Sequence, residues 1–584
     1  ALRAAPLHRR FEPAPDAAGF LPYPPPGPRQ LSVCLLSQCL PEESPGGIAS
    51  YTAALARGLR DLGCEVHIVS RSQSLRSELK DGIWHHRAEA LPLPDEIADP
   101  RLFPTLAKNL AYSNGVRSKV LDIEARWGLD VLESPNWDAE GLLALMEHRL
   151  PSVVRAHSPL FEVCETQGWE MNADLRACSA LEGALLRHAD AVSGSTSALL
   201  ELVEREFGGR SKQNLIPLGL DIAAAAGTRS NHRKTILFAG RLERRKGIHT
   251  LLEAIPAVLN SEPEACLEIV GRDCGAAEGR SWKEEWERQA RHSYGGRVRF
   301  HGEVPASELA RWYEACDIFV APSLYESFGL IYLEAMARAR PVIACRAGGT
   351  PEVVADGETG LLVPPGDAAA LAGAMLRLLR DEPLCRRLGE AGRERYLRGF
   401  SAQAMAARTL ELYQRVSRNW LREAATAWRA SALDFLRDPR CAAAWIPETG
   451  RICALAPEGY AGVVVYGPYI RLEPGAYRAE FKLWLGAAPP PHGRLASVDV
   501  FSMKGGFAQE RAVWSEDFAA GPGFVFDVFF EVPDPPPEDY EFRVHSTVCV
   551  PVYVREIVVR RWPHPSLRSA LSGAARDSSE ERHD

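Results

Sequence analysis

The stretch LSVCLLSQCLPEESPGGIASYTAALARGLRDLGCEVHIVS, residues 31–70, sets the architecture of the chain. Residues 31–37 are almost unbroken apolar, the pattern of a strand buried on both faces. A loop holding Pro45, Gly46 and Gly47 follows. Ile48, Tyr51, Leu55, Leu59 and Leu62 then recur at steps of three and four, which is one face of a helix. Gly63 stops that helix, and CEVHIVS at 64–70 reads as the next strand. Strand, loop, helix, strand is the unit from which parallel sheets are assembled.

The alternation continues outward from this unit. DVLESPN (130–136), PSVVRAH (151–157) and DAVSGST (190–196) read as further strands, and the pattern pauses near NLIPLGLD (214–221). It restarts with TILFAG (235–240), the helix GIHTLLEAIPAVL, and the strands ACLEIVG, RVRFHGEV, DIFVAPS and RPVIACRAGG, with a helix at LIYLEAMARA. Two successive α/β domains follow, each a doubly wound sheet, with ligands expected beyond the carboxyl ends of the strands and in the cleft between domains. AQAMAARTLELYQRVSRNWLREAATAWRASALDFL reads as one long helical run. From about residue 430 onward the period becomes two, with Pro-Gly turns, and several short strands predict a β-sandwich. Its aromatics Tyr466, Tyr469, Tyr477, Phe481 and Trp484 could line a glycan-binding face, but alternating aromatics are first of all sandwich core.

Bulk properties narrow the function. The 584 residues exceed one ordinary domain, and 46% apolar with 25% charged residues is the composition of a soluble globular chain. The net charge of −8 argues against a nucleic-acid partner. Thirteen cysteines, scattered from Cys34 to Cys549 without a C-x-x-C pair, read as small buried residues in a reducing compartment. No apolar run spans a bilayer. The Pro- and Arg-rich residues 1–30 read as an extended lead-in and not a secretory signal. The expected location is cytoplasmic, with a peripheral membrane contact on that face left open. The charged tail at 563–584 is expected to be disordered.

Three constellations carry chemistry. Gly46-Gly47 lies at a strand-to-helix turn, where the backbone can approach a phosphate at a helix N-terminus; turn formation alone would also explain it. In AGRLERRKG (239–247), Arg241 and Lys246 sit where a strand gives way to a cleft-facing loop, a fork of donors and a compact charge suited to a diphosphate. Arg244 and Arg245 read as a solvated face. In LYESFGLIYLEAMA, Glu326 and Glu334 are separated by seven residues. A helix opening near Phe328 would aim the amides of Phe328, Gly329 and Leu330 at an anion. Glu326 would lie just ahead of them and Glu334 about one and a half turns in. Two acceptor-only groups beside a phosphate site suit hydroxyls on either side of it. A hydrolase pair would need no phosphate cradle, and a metal site would need further ligands.

E-x7-E with Ser327-Phe328-Gly329 after the first Glu, G-R-L-x-x-x-K-G upstream, G-G-T-P-E downstream and the N-terminal G-G turn together resemble the retaining glycosyltransferases of family GT4, of GT-B fold, over roughly residues 31–425. The resemblance implies two Rossmann-like doubly wound domains facing a cleft, at 31–220 and 221–400. Linker helices at 401–430 would cross back onto the first domain, and an all-β sandwich at 431–562 is added. It implies a metal-independent transferase with no cofactor, taking a sugar with retention from a nucleotide-diphosphate sugar such as a UDP- or GDP-sugar to a hydroxyl of a glycan or other acceptor. Glu326 would hold the sugar hydroxyls and Glu334 the ribose. Arg241, Lys246, Ser327 and the Phe328–Leu330 amides would hold the diphosphate side, with the Gly46-Gly47 loop closing from the other domain. His157 matches the family's acceptor-side histidine; Glu133 and Asn136 are further acceptor-side candidates. Leu218 departs from the pattern, where relatives commonly carry Asn. A nucleotide-sugar epimerase of the same fold, or a carbohydrate-binding protein with an inactive transferase half, are the alternatives. The sandwich would bind acceptor glycan or mediate self-association.

Overall fold

The computed structural model describes residues 31–561 except 41–42, 44–45, 72–76, 94–96, 148, 209–212, 223–233, 276–279, 424–427, 432–435, 438–440, 447–450, 457–460, 467–471, 473–474, 487, 503–506, 519–522, 533–539 and 548–549. The lead-in at 1–30, most of the domain junction at 223–233, Tyr469, Pro474 and the tail at 563–584 lie outside the described residues.

The first sheet contains β1 (Ser32–Leu36), β2 (Glu65–Arg71), β3 (Glu78–Lys80), β4 (Ile83–Ala88), β5 (Val131–Pro135), β6 (Ser152–Ala156), β7 (Ala191–Gly194) and β8 (Gln213–Leu215), in the order 3-4-2-1-5-6-7-8. All pairs are parallel except the β3–β4 hairpin. Every residue of β1, β5 and β6 is buried, which is why β1 reads as a nearly continuous apolar run and not an alternation, while β5 and β6 carry Glu133 and Arg155 into the interior. Helices α1 (Gly47–Asp61), α2 (Pro104–Arg126) and α3 (Ser197–Phe207) are the connections that matter below. Tyr51, Leu55 and Leu59 of α1 are buried, as their spacing predicts, with Ile48 and Leu62 half-buried at the ends.

The second sheet repeats the plan with β9 (Lys234–Ala239), β10 (Ala265–Val270), β11 (Val298–Gly302), β12 (Ile318–Ala321), β13 (Val342–Cys345) and β14 (Gly360–Val363), all parallel, in the order 11-10-9-12-13-14. Strand order reverses between β1 and β5 in the first sheet and between β9 and β12 in the second; these are the switch points where such sheets open a crevice. Helix α4 (Leu330–Met336) leaves the second sheet after β12, and α5 (Ala402–Glu423) returns to the first domain. There it packs on α1 so closely that a Cβ on Gly58 would lie 2.5 Å from that of Ala406. The junction is fastened beside it: Leu220 N–H donates to the Phe400 carbonyl (3.0 Å) and Tyr396 hydroxyl to the Leu220 carbonyl (2.8 Å). Leu218, the departure from the family pattern, is core packing here. No described helix is long and apolar enough to cross a membrane.

The last third is antiparallel throughout. Strands β15 (Trp428–Ser431), β16 (Leu436–Arg437), β17 (Ala442–Ile446), β18 (Arg451–Ala456), β19 (Ala461–Tyr466), β20 (Gly475–Leu485), β21 (Arg494–Ser502), β22 (Phe507–Trp514), β23 (Gly523–Val532), β24 (Glu541–Thr547) and β25 (Val552–Arg561) form two sheets, 17-18-25-20-23 with β15 on β25, and 16-19-24-21-22. The long helical run expected from residue 402 to beyond 430 is therefore corrected: the helix ends at Glu423, and Trp428–Ser431 pair with the final strand. Pairing to β25 outweighs local helical propensity, as tertiary context commonly does. Tyr477 and Phe481 lie in the shared core with Val498, Phe526 and Val554, so those two aromatics are sandwich filling and not a sugar platform. Trp484 is half-buried, stacked on Tyr553 (5.1 Å) and covered by Arg126 of α2.

That contact belongs to a docked interface. Leu121 and Ala125 of α2 pack on Val525 of β23. Around them lies charge: Lys482 donates to Glu124, Gly523 N–H to Asp122 (2.7 Å), and Arg149 forks onto Asp527 (2.8 Å for one arm).

Candidate active site

Three loops leave the carboxyl edge of the second sheet at its switch point. The first follows β9 and contains Arg241, Glu243 and a 3-10 turn, Arg244–Lys246, ended by Gly247. Gly247 has φ 71°, and a Cβ there would sit 1.8 Å from the Pro322 carbonyl oxygen, so glycine is what allows this loop to lie against the exit of β12. Leu324 N–H donates to the Arg245 carbonyl (2.8 Å) and ties the two loops together.

The second loop carries Glu326. Lys246 Nζ donates to its Oε1, Ser323 Oγ donates to the same oxygen at 2.9 Å, and the Arg245 guanidinium stands 3.9 Å from Oε2. Burial alone would raise this carboxyl, but Lys246 and Arg245 outweigh burial and hold it below the ordinary glutamate value. Arg241 is 58% exposed, 3.3 Å from Glu243. Arg244 is exposed as expected, whereas Arg245 is buried, with its guanidinium on Glu243 (3.0 Å) and the Tyr325 carbonyl (3.4 Å). That corrects its reading as a solvated residue. In a 3-10 turn successive side chains point about 120° apart, so a run of three cations cannot share one face.

Helix α4 begins at Leu330, not near Phe328. Gly329, at φ 88°, breaks the backbone just ahead of it, and Phe328 is turned into the core, edge-on against Phe400 at 5.7 Å. The first-turn amides are therefore those of Leu330 to Tyr332, the last already donating to the Gly329 carbonyl (3.0 Å). Glu334 is half-buried on α4 and accepts from Tyr313 hydroxyl (2.8 Å), with burial raising its carboxyl.

The third loop, Gly348 to Glu352, follows β13. Gly349 N–H donates to the Glu326 carbonyl (2.8 Å), and a Cβ on Gly348 would lie 2.4 Å from that same oxygen. Glu352 then reaches the first domain, where its carboxylate accepts from the amides of Ser197 (2.8 Å) and Ala198 (2.9 Å) at the start of α3. Beside it the Thr196 hydroxyl donates to the Ser327 carbonyl (2.8 Å). The loop of Glu326 is thereby held from both domains. The spacing of the motifs did not reveal this link, although a glutamate two residues after Thr350 was in plain view.

Across the cleft, Gly46 caps α1 in extended conformation and Gly47 opens it; a Cβ on either would meet no atom within 4 Å. His157 N–H donates to Asn136 Oδ1 (2.7 Å), its ring lies edge-on to Tyr51 (5.5 Å), and its Nε2 is buried with no partner among the described residues. Burial, aided by Arg155, brings the imidazole down to about 3, so it is neutral near pH 7. Glu133 does not reach the cleft. It is 3% exposed, and its two oxygens accept from the hydroxyls of Tyr51 (2.7 Å) and Tyr413 (2.8 Å). Its acceptor-side reading is corrected for that reason: α1 and α5 close over it.

Comparison with known proteins agrees with this layout. The model for "Glycosyl transferase 4-like domain" matches residues 46–219 and that for "Glycosyl transferases group 1" matches 233–381. The D-inositol 3-phosphate glycosyltransferase of Corynebacterium efficiens is 31% identical over 394 residues, covering 63% of this chain and 90% of that protein. The glycogen synthase of Mycobacterium tuberculosis is 28% identical over 401 residues, covering 66% and 94%. Among solved structures, sucrose-phosphate synthase from Thermosynechococcus elongatus superposes with a TM-score of 0.56 at 28% identity, over 67% of this chain and all of its own. The two family models fall within the parallel α/β part of the chain and not on the antiparallel region.

Proposed function

The chain belongs to the group 1 glycosyltransferases, and from that premise we propose that it transfers a sugar, with retention and without a metal, from a nucleotide-diphosphate sugar to a hydroxyl of a glycan or another acceptor. The observation that carries this reading is the convergence of Lys246, Arg245 and Glu326 at the carboxyl ends of β9 and β12, on the two sides of the switch point.

The diphosphate gains charge as the glycosidic bond breaks. Lys246, prearranged in a largely buried setting where such a donor acts most strongly, stabilises that charge together with the first-turn amides of α4, and the exposed Arg241 adds its cation from the solvent side. Glu326, kept anionic by its cationic neighbours, accepts from hydroxyls of the donor sugar, and Glu334 from those of the ribose. Neutral His157 sits on the acceptor side and orients the incoming hydroxyl, which attacks from the face the diphosphate leaves. The tie between Glu352 and α3 keeps the domains closed and water out, so that transfer outruns hydrolysis. A cytoplasmic location belongs to the same reading: Cys34, Cys64, Cys164, Cys178, Cys266, Cys316 and Cys345 are buried free thiols, as suits a reducing compartment.

A thermal-shift screen of nucleotide sugars identifies the donor, because a ligand of the folded state raises the melting point by mass action. With that donor, Lys246→Ala and Glu326→Gln should each lower kcat by about 10²–10³, the effect of losing one preorganised group at a developing charge. Both variants should melt cooperatively. Wild-type turnover in either one overturns the assignment.

A further inference from the structure

The two sheets of the sandwich meet different surroundings. In the sheet 17-18-25-20-23, Lys482 of β20 and Asp527 of β23 point outward to the first domain, where they meet Glu124 and Arg149. In the sheet 16-19-24-21-22, Val498, Val500, Phe542 and Val544 point into the shared core. Successive side chains of a strand alternate between faces. The register therefore places Asp499 and Phe501 of β21, Arg543 and His545 of β24, and Glu510 of β22 together on the face turned away from α2. Trp514 follows Glu510 by four residues on β22 and shares that face, while Val513 beside it is core. A bulge between Arg494 and Ala496 returns Arg494 to the same face, where it pairs with Glu510.

Two observations separate this face from an ordinary solvated one. Asp499 lies on it yet is only 5% exposed, and its two oxygens accept from Arg543 Nε (2.7 Å) and His545 Nε2 (2.9 Å). The Arg543 guanidinium also lies 4.2 Å above the Phe501 ring, so a carboxylate at its edge and a ring beneath it fix its plane. What remains is a preset group of unused atoms. The two terminal nitrogens of Arg543 and Nδ1 of His545 have no partner among the described residues, and these side chains are 25% and 31% exposed. The second observation is Trp514, 48% exposed and the one large hydrophobic side chain of the sandwich that stands in solvent among the described residues. Its backbone N–H donates to Asp517 (2.8 Å), which anchors the end of the strand. Arg494, level with Trp514, precedes Phe501 by seven residues, so the indole and the guanidinium fork lie about 20 Å apart along the sheet at ~3.3 Å per residue.

We propose that this outer face binds a neutral glycan chain, with Trp514 stacking on one sugar ring and Arg543 and His545 hydrogen-bonding the hydroxyls of another. The site is separate from the donor crevice and does not depend on the transferase reading. Chemistry selects the ligand. The end of a guanidinium only donates, whereas a neutral imidazole donating from Nε2 keeps Nδ1 as an acceptor. A sugar hydroxyl both donates and accepts, and so satisfies the two together. The C–H face of a sugar ring is flat and apolar, and it covers an indole that is otherwise left in water. Charge argues against an anion: Arg543 is balanced by Asp499 and Arg494 by Glu510, and Glu541 adds a carboxylate opposite Phe501. Charge argues equally against a second copy of this chain, because the centre of a protein interface is depleted of charged residues and the centre of this face is an ion cluster. The separation of Trp514 from Arg543 calls for a chain of several sugars and not a single one.

The test uses the full chain with maltohexaose, cellohexaose and mannohexaose as neutral probes, the hexamer of galacturonic acid as the anionic one, and calorimetry and sedimentation velocity as readouts. The expected result is binding of a neutral hexamer that Trp514→Ala and Arg543→Lys each weaken about tenfold or more, for the lysine variant the loss of roughly one charged hydrogen bond. Trp514→Phe, which keeps a flat ring, should restore part of the affinity, and all three variants should melt at the temperature of the wild type. Neutral-hexamer binding that neither Trp514→Ala nor Arg543→Lys weakens lies elsewhere on the chain and overturns the proposal. So does tighter binding of the galacturonate than of every neutral hexamer, or no binding of any neutral hexamer. A wild-type chain that sediments as a dimer, with Trp514→Ala a monomer, assigns the face to self-association and overturns it as well.

Discussion

Replacing Lys482 with methionine should loosen the sandwich from α2 and can be followed without knowing the substrate. Lys482 and Glu124 are 1% and 5% exposed, and the carboxylate is held on its other side by the Leu129 amide (2.5 Å). Methionine fills most of the lysine's volume, so the packing of Leu121 and Ala125 on Val525 stays intact and the lost quantity is the pair itself. Leaving one partner of a buried ion pair costs about 3–5 kcal/mol. Glu124→Gln should cost a comparable amount. The double variant, with no charge left to strand, should lie much closer to wild type, for a coupling of about 2 kcal/mol or more. Hydrogen exchange is the suitable readout, because it reports opening element by element in a chain of several domains. The α2 amides should exchange about 10²–10⁴-fold faster in each single variant and near the native rate in the double. A coupling below about 0.5 kcal/mol would show the two residues to be independent and would refute the docked interface.

Other outcomes follow from particular contacts. Glu352→Ala removes a carboxylate that caps α3 from the opposite domain, worth about 1–2 kcal/mol; the donor KM should rise several-fold and small-angle scattering should show a larger radius of gyration. Burial alone would raise the Glu480 carboxyl, but Arg478, Arg560 and Arg149 outweigh it and bring it to about 2 from 4.5. A depressed carboxyl stabilises the fold above its unfolded pKa, and the contribution, about 3 kcal/mol, is lost as pH falls from near 4.5 toward 2. Glu480→Gln should therefore flatten the acid limb of stability against pH, measured by urea unfolding, while lowering stability at pH 7.

Periodicity alone made much legible. Strands buried on both faces read as apolar runs, α1 showed its stripe, and alternation by two announced the sandwich. Glycines and charges at the strand ends pointed to Lys246 and Glu326 because local backbone chemistry confines such residues to loops. What stayed hidden were the relations between segments distant in sequence. Glu133 read as an acceptor residue until α1 and α5 were seen to cover it with Tyr51 and Tyr413. Arg245 read as solvated until Glu243 and Glu326 stood beside it.

Thus residue order determined the kind of each layer and which loops would carry chemistry, since hydrophobic period and turn propensity act over a few residues. Only the tertiary structure decided that Glu352 bridges the domains, that Glu140 is buried beside Arg71, and that the sandwich grips α2. Those pairings depend on strand order and domain docking, where desolvation and charge are settled by neighbours from about seventy to several hundred residues away in the chain.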